Sequence, residues 1–234
     1  MKSISKLRIF ADPNGSGKTT LYESIQSIYF STRLFVNVGR IEQAFRQTHF
    51  LNFSEFRIKT SDLGFQSFCK KIRLYIKANF DDVAWDLKVI GNVLVSENAV
   101  LQTQYNSYHF AIVANFIRDL LIQSEIPFSF ETVSSHAGKL EQIDLALSHG
   151  YKIYLYFIGT ETPSMNIGRV SDRIKKGGHS VSPEKIKDRY YLTMNLLLTI
   201  LKKVDEAYLW DNSGERHEYR GKLNESTKSV TTSL

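Results

Sequence analysis

Residues 11–20 read ADPNGSGKTT. Gly15, Ser16 and Gly17 carry little or no side chain, so the backbone N–H groups of the turn can close around phosphate oxygens. A helix starting just behind them adds the positive end of its dipole. Lys18 would then reach the β- and γ-phosphates of a nucleotide, and the Thr19 hydroxyl would hold Mg2+. Pro13, Asn14, Gly15, Ser16, Gly17, Lys18, Thr19 and Thr20 are therefore the candidate ATP contacts, with ATP and Mg2+ the implied ligands. The usual Walker A pattern, G-x-x-x-x-G-K-[ST], opens with glycine, and here Asp12 stands in that place. A carboxylate within a few ångströms of a triphosphate repels it by about 1 kcal/mol or more. Two readings stay open: Asp12 serves the backbone turn and aims away from the cradle, or it weakens and alters the nucleotide site.

Further along, Glu131 ends an apolar run, FSFE. A carboxylate there can accept the hydrogen of a substrate hydroxyl or hold a metal-bound water. Thr132, Ser134 and Ser135 follow it and either add hydrogen bonds or cap a turn. Arg169 and Arg173 stand four apart on one helical face. Phosphoryl transfer spreads charge over three equatorial oxygens, and a planar cation inserted there lowers the barrier. The KKGGH stretch after them supplies a corner suited to a lid, with His179 either shaping it or serving as a plain turn residue. Asn212, in WDNSG, either approaches a base or caps a turn.

These residues need elements to hold them. KLRIFA (6–11) reads as a short buried strand running into the glycine-rich turn, and KTTLYESIQSIYF behind it has helical spacing. LFVN (34–37), FSFE (128–131), KIYLYFIG (152–159) and AYLWD (207–211) read as four more strands. Helical patterns cover 107–124, 137–150 and 182–204, the last with Ser182 as N-cap, Pro183 at the first position and Glu184 in the first turn. Strands alternating with helices predict an α/β layer fold around a mostly parallel five-stranded sheet, with ligands beyond the carboxyl ends of the strands. Residues 45–106 are expected to form a helical insertion within one domain spanning 1–223, with 224–234 a polar, fraying tail.

Composition sets the frame. The chain has 234 residues, 42% hydrophobic and 23% charged, which suits a folded domain. Thirty Lys and Arg against 24 Asp and Glu leave +6, a mild excess that suits phosphorylated small molecules as well as nucleic acid. The single Cys69 is expected to be a packed thiol. No stretch approaches ~18 uninterrupted apolar residues, so the expectation is a cytoplasmic protein with no membrane partner.

ADPNGSGKTT, the FETVSS that begins at the end of the third strand, GRVSDRIKKGGHSV and DNSG together resemble the zeta-toxin-like P-loop kinases, particularly the bacterial branch often labelled predicted ABC-type ATPases. The resemblance covers residues 6–37 and 107–215. It implies a fold like shikimate kinase and, as in characterised zeta toxins, ATP-dependent phosphorylation of a sugar hydroxyl on UDP-N-acetylglucosamine. It also implies an antitoxin protein as a partner. By the same resemblance Lys18, Glu131, Arg173 and Arg189 are the catalytic candidates, Arg169 joins the ATP contacts, and Asn37, Arg40, Glu131 and Thr132 are the substrate contacts. No LSGGQ-like signature accompanies the ABC label, so transport is not expected.

One departure matters. The family's motif after the second strand commonly reads Asn-Ala-Asp, its aspartate being the general base. This chain has FVNVGRIEQ, with Asn37 present but Gly39 in the aspartate's place and Arg40 following. Three readings follow. The first is a kinase that uses another acid, Glu131 or Glu42, on a small phosphorylated substrate. The second is a catalytically degenerate nucleotide-binding switch acting through a protein partner. The third, a nucleic-acid-binding ATPase, is supported only by the net charge and the basic stretch KKIRLYIK (70–77), which a solvated helix face explains equally.

Overall fold

The structure, a computed structural model, describes residues 4–29, 34–72, 75, 85–96, 105–133, 138–175 and 181–224. The chain divides into two compact units, Met1–Phe35 with Pro127–Leu234, and Val36–Ile126.

The first unit is built on β1 (Lys6–Ala11), β6 (Phe128–Thr132), β7 (Lys152–Gly159), β8 (Glu206–Asp211) and β9 (Glu218–Leu223). With β2 (Phe35–Val36) they form a six-stranded sheet in the order β2-β6-β1-β7-β8-β9. β1 is central and runs parallel to β6 and β7, and β8 runs parallel to β7, so the α/β parallel core expected from the sequence is present. β9 is a sixth strand that the sequence pattern did not announce, antiparallel to β8. Its burial pattern shows why. Every residue is exposed or half-buried, so it lacks the apolar face that marks a core strand.

Helices follow the strands: α1 (Lys18–Tyr29) after β1, α5 (Gly138–Ser148) after β6, α6 (Pro163–Lys175) and α7 (Pro183–Lys203) between β7 and β8. The N-cap expectation for α7 holds, with Ser182 Oγ accepting from Lys185 N at 3.4 Å. The register places Phe10, Tyr156 and Tyr208 in one cross-strand row. Their rings stack, Phe10 on Tyr156 at 4.8 Å and Tyr156 on Tyr208 at 5.2 Å. Tyr22 of α1 meets Phe10 edge-on at 5.2 Å. Aromatic pairs of this kind contribute about 0.5–1.5 kcal/mol beyond their area burial. The row locks the end of β1 two residues before Asp12, so the turn leaves a fixed platform.

The second unit centres on α4 (Ser107–Gln123), whose Phe110, Ile112, Val113, Ala114, Phe116, Ile117, Leu121 and Ile122 are all buried. A helix apolar nearly all round belongs inside a core. α2 (Val38–Thr48) and α3 (Asp62–Lys71) accompany it. Residues 45–106, expected to be helical, also hold a three-stranded antiparallel sheet of β3 (Phe50–Asn52), β4 (Leu87–Ile90) and β5 (Val93–Ser96), in the order β3-β5-β4. The correction has a local cause. Gly91 and Asn92 adopt φ +57 and +69, the backbone of a two-residue hairpin turn. Alternation then buries Leu87, Val89 and Leu94 on one side. Cys69 is buried and free, and burial pushes its thiol up to about 12. Ser134, Ser135, His179, residues 225–234 of the expected tail and most of 70–84 lie outside the described residues.

Candidate functional site: the loop after the central strand

β1 ends at Ala11, and the chain turns through 12–17 into α1. Gly15 has φ +86 and Gly17 φ +102. A side chain at either would also collide. A Cβ on Gly15 would lie 2.8 Å from the Asn166 backbone oxygen of α6, and one on Gly17 2.7 Å from Asn212 Nδ2. Both glycines are therefore required by backbone conformation and by space. Leu21 N donates to Gly17 O at 3.1 Å as the helix begins. This is the cradle that a phosphate-binding turn needs, strand before and helix after.

Asp12 does not aim away. It is fully buried, accepts a hydrogen bond from Ser16 Oγ and forms an ion pair with Lys18 Nζ. Ser16 Oγ also contacts the Pro13 carbonyl at 2.9 Å. The expectation of a turn-serving aspartate is thus half right. Asp12 does organise the turn through Ser16, and it does so from inside, holding the cation that would bind phosphate. Burial pulls the Lys18 ammonium down to about 8; Glu131 opposes this, while Arg173 and Arg189 reinforce it.

Lys18 and these three residues were the catalytic candidates, and Glu131, Arg173 and Arg189 all lie within electrostatic range of the Lys18 ammonium. Glu131 stands on β6, in register with Phe10 of β1, and its Oε2 accepts from Thr19 Oγ1 at 2.8 Å. Arg173 lies in the last turn of α6. Arg189, on α7, donates to Asn14 Oδ1 at 3.4 Å. Arg169 lies one turn before Arg173, and its Nη2 reaches the Gly214 carbonyl at 3.4 Å. Thr132 is buried at the end of β6, and Thr20 is exposed on the first turn of α1.

Asn212 neither caps its own turn nor projects freely: its Nδ2 donates to Ser16 O at 2.7 Å, pinning the β8–β9 connection to the loop. His217, in the same connection, was not singled out from the sequence. Its Nε2 would be 2.9 Å from a Gly17 Cβ. No motif flags a histidine whose approach depends on β9 folding back along β8.

Asn37 and Arg40 belong to the second unit. Asn37 is buried and is the N-cap of α2, its Oδ1 accepting from Arg40 N at 2.9 Å, while Arg40 is exposed. Glu42, weighed as a replacement acid, is buried and held by Arg46, whose Nε and Nη2 donate to Glu42 Oε1 at 2.9 and 2.8 Å. A carboxylate so engaged is a structural partner rather than a base.

Central β1 between parallel neighbours, and a glycine cradle closing on the first helix, define an α/β protein of P-loop architecture. No family model matches the chain. An uncharacterized protein of Haemophilus influenzae is 28% identical over 83 residues, 36% of this chain and 52% of that protein, so the match spans about half the length of the curated relative. Among solved structures, the chain is similar to one from the PezAT chromosomal toxin–antitoxin system of the human pathogen Streptococcus pneumoniae. That likeness has 14% identity and a TM-score of 0.49, and covers 93% of this chain and 73% of that one. It is also similar to the AvrRxo1-ORF1:-ORF2 complex with ATP, at 12% identity and a TM-score of 0.43, over 99% and 63% of the two chains. Likenesses this distant carry no argument about chemistry, which has to come from the loop itself. No described helix is long and apolar enough to cross a membrane.

Proposed function

We propose that the protein is an ATP-dependent small-molecule kinase that transfers the γ-phosphoryl group to a hydroxyl of a nucleotide-sugar or a similar phosphorylated metabolite. The observation that supports this reading most is the placing of Glu131 and Arg189 at the glycine cradle, Glu131 accepting from Thr19 Oγ1 and Arg189 donating to Asn14 Oδ1. ATP supplies the transferable phosphoryl group. The chain supplies position and charge, which is most of what phosphoryl transfer asks of a protein.

Residues 13–19 would hold the phosphates through backbone N–H groups, and Lys18 would exchange the Asp12 carboxylate for phosphate oxygens. Thr19, whose hydroxyl hydrogen is already directed to Glu131, has oxygen lone pairs to offer Mg2+, a hard cation suited to such a donor. Glu131 would accept the hydrogen of the acceptor hydroxyl, taking the part that Gly39 cannot. Arg173 and Arg189 would stabilise the charge that develops on the transferring group. Thr132 is a proposed acceptor contact, Asn37 being engaged as a helix cap. An antitoxin-type protein partner and a cytoplasmic setting belong to the same reading.

One observation favours a second reading, a nucleotide-binding switch. Asp12 and Ser16 already satisfy Lys18 and the turn without any ligand. The two are separated by incubating the protein with γ-labelled ATP, Mg2+ and a panel of UDP-sugars, nucleotides and small phosphorylated metabolites. The kinase reading expects label on one acceptor class, lost in Arg173→Ala while calorimetric ATP binding is retained. ATP binding with neither transfer nor hydrolysis would establish the switch instead.

A further inference from the structure

The connection between β8 and β9 is fastened at four points around the loop. Asn212 N donates to Gly159 O at 2.9 Å, Asn212 Nδ2 to Ser16 O at 2.7 Å, and Glu161 N to Ser213 Oγ at 2.8 Å. Arg169 of α6 reaches Gly214 O at 3.4 Å. So fixed, the connection brings the His217 ring against Gly17, the residue whose missing side chain lets backbone approach a phosphate. His217 Nε2 is buried there without a hydrogen-bond partner. Arg169 Nη1 is likewise buried and without one. An Arg169 nitrogen without an acceptor, and an imidazole nitrogen whose neighbour, the Gly17 backbone, lies at poor hydrogen-bonding geometry, are a costly pair beside the cradle unless a ligand supplies oxygens.

We propose that His217, with Arg169 beside it, contacts a phosphate group of the bound nucleotide. This rests on the nucleotide reading of the loop and adds to it a residue that lies outside the motif. Burial holds the imidazole below its ordinary value; the Gly17 backbone opposes that, and the Arg169 charge on α6 reinforces it. Asn212, on the same connection, is neutral. Among the described residues these are the groups acting on the ring, and their balance favours the neutral imidazole in the free protein. An arriving phosphate reverses the balance, and the ring takes up a proton and becomes a charge-assisted donor.

The test is calorimetry of MgATP with the parent and with His217→Gln, between pH 6 and 7.5, in two buffers of different ionisation enthalpy. The parent is expected to take up a fraction of a proton that the variant does not, and the difference between them cancels protons released or bound by ATP itself. Near pH 6.5 the variant should bind about tenfold more weakly, the scale of one hydrogen bond to a charged group. Inorganic tripolyphosphate should reproduce the His217-dependent uptake, and adenosine should not. Matching melting temperatures establish that the variant is folded, with His217→Asn as a second replacement if they differ. Equal affinity and equal proton uptake in parent and variant overturn the proposal, as does uptake with ATP but none with tripolyphosphate. If the parent binds no MgATP at all, the nucleotide reading fails and takes the proposal with it.

Discussion

Two helix starts in this protein solve the same problem differently. α1 and α2 each follow a strand through a short turn, and each exposes backbone N–H groups at its first turn. At α2 the Asn37 side chain, a neutral amide, fills one of them directly through Arg40 N. At α1 the turn is opened by Gly15 and Gly17. The carboxylate where that turn begins, Asp12, is directed onto Ser16 and Lys18. The first arrangement is closed: it caps a helix and leaves little for a ligand. The second is closed by an ion pair, and one ammonium group can exchange a carboxylate for a phosphate. The contrast teaches that a helix start binds anions only when the chain's own donors and acceptors can be traded.

The comparison breaks most sharply at the buried pair. Lys18→Met leaves the Asp12 carboxylate in the interior without its cation, and urea unfolding should show a loss of about 3–5 kcal/mol, the usual cost of stranding one member of a buried pair. Adding Asp12→Gly to the same chain should recover most of it. A loss below about 1 kcal/mol would mean that the pair behaves like a surface one.

Next is the pair of glycines. Gly15→Ala forces a Cβ at positive φ to within 2.8 Å of a backbone oxygen, and should cost about 1–3 kcal/mol and abolish calorimetric ATP binding. Gly39→Ala, in ordinary helical backbone with its Cβ 3.3 Å from Asn37 Oδ1, should change stability by less than about 1 kcal/mol. Equal effects at the two sites would remove the distinction between an opened turn and a capped one.

Asn37→Ala sharpens the other side. It should cost about 1 kcal/mol of stability as a lost cap, with no change in phosphate binding.

The buried ammonium also predicts a pH dependence. Between about 8, where burial places Lys18, and its ordinary 10.5, the unfolded chain still holds a proton that the folded chain has released. The penalty of burying this charge therefore stands in full below about 8 and is relieved as pH climbs toward 10.5, so stability rises with pH across that window. Subtracting the unfolding free energies of the Asp12→Gly, Lys18→Met double variant isolates the contribution from tyrosines that titrate nearby. A difference that stays flat from pH 7.5 to 10 would show that Lys18 is not desolvated.

Much of the fold was legible because its signals are local. β1 and β7 are bounded as their apolar runs suggest, and α7 begins at the Ser182–Pro183 cap. The second unit was misread where the local signal was weak: LKVIGNVLVS carries a hairpin turn at Gly91–Asn92, but its apolar residues also fit a helix. β9 was missed because an edge strand with no buried face leaves no periodicity to find. At the candidate site, the loop and the arginines were legible as residue types in a motif. His217 and the inward turn of Asp12 were not, since each is defined by a neighbour that is remote in sequence or by the direction a side chain takes.

Sequence alone determined that a strand, a glycine turn and a helix stand in that order, because positive-φ glycines and helix-starting residues act within a few positions of one another. It also determined that Asp12 opens the turn in place of a glycine and that Gly39, not a carboxylate, stands two residues after Asn37. The tertiary structure decided what those changes mean. Whether Asp12 faces solvent or Lys18, and whether Arg173, Arg189 and Glu131 reach the same ammonium, depends on parallel strands pairing across more than a hundred residues. Electrostatic partnership is a matter of distance and burial, and no spacing along the chain records either.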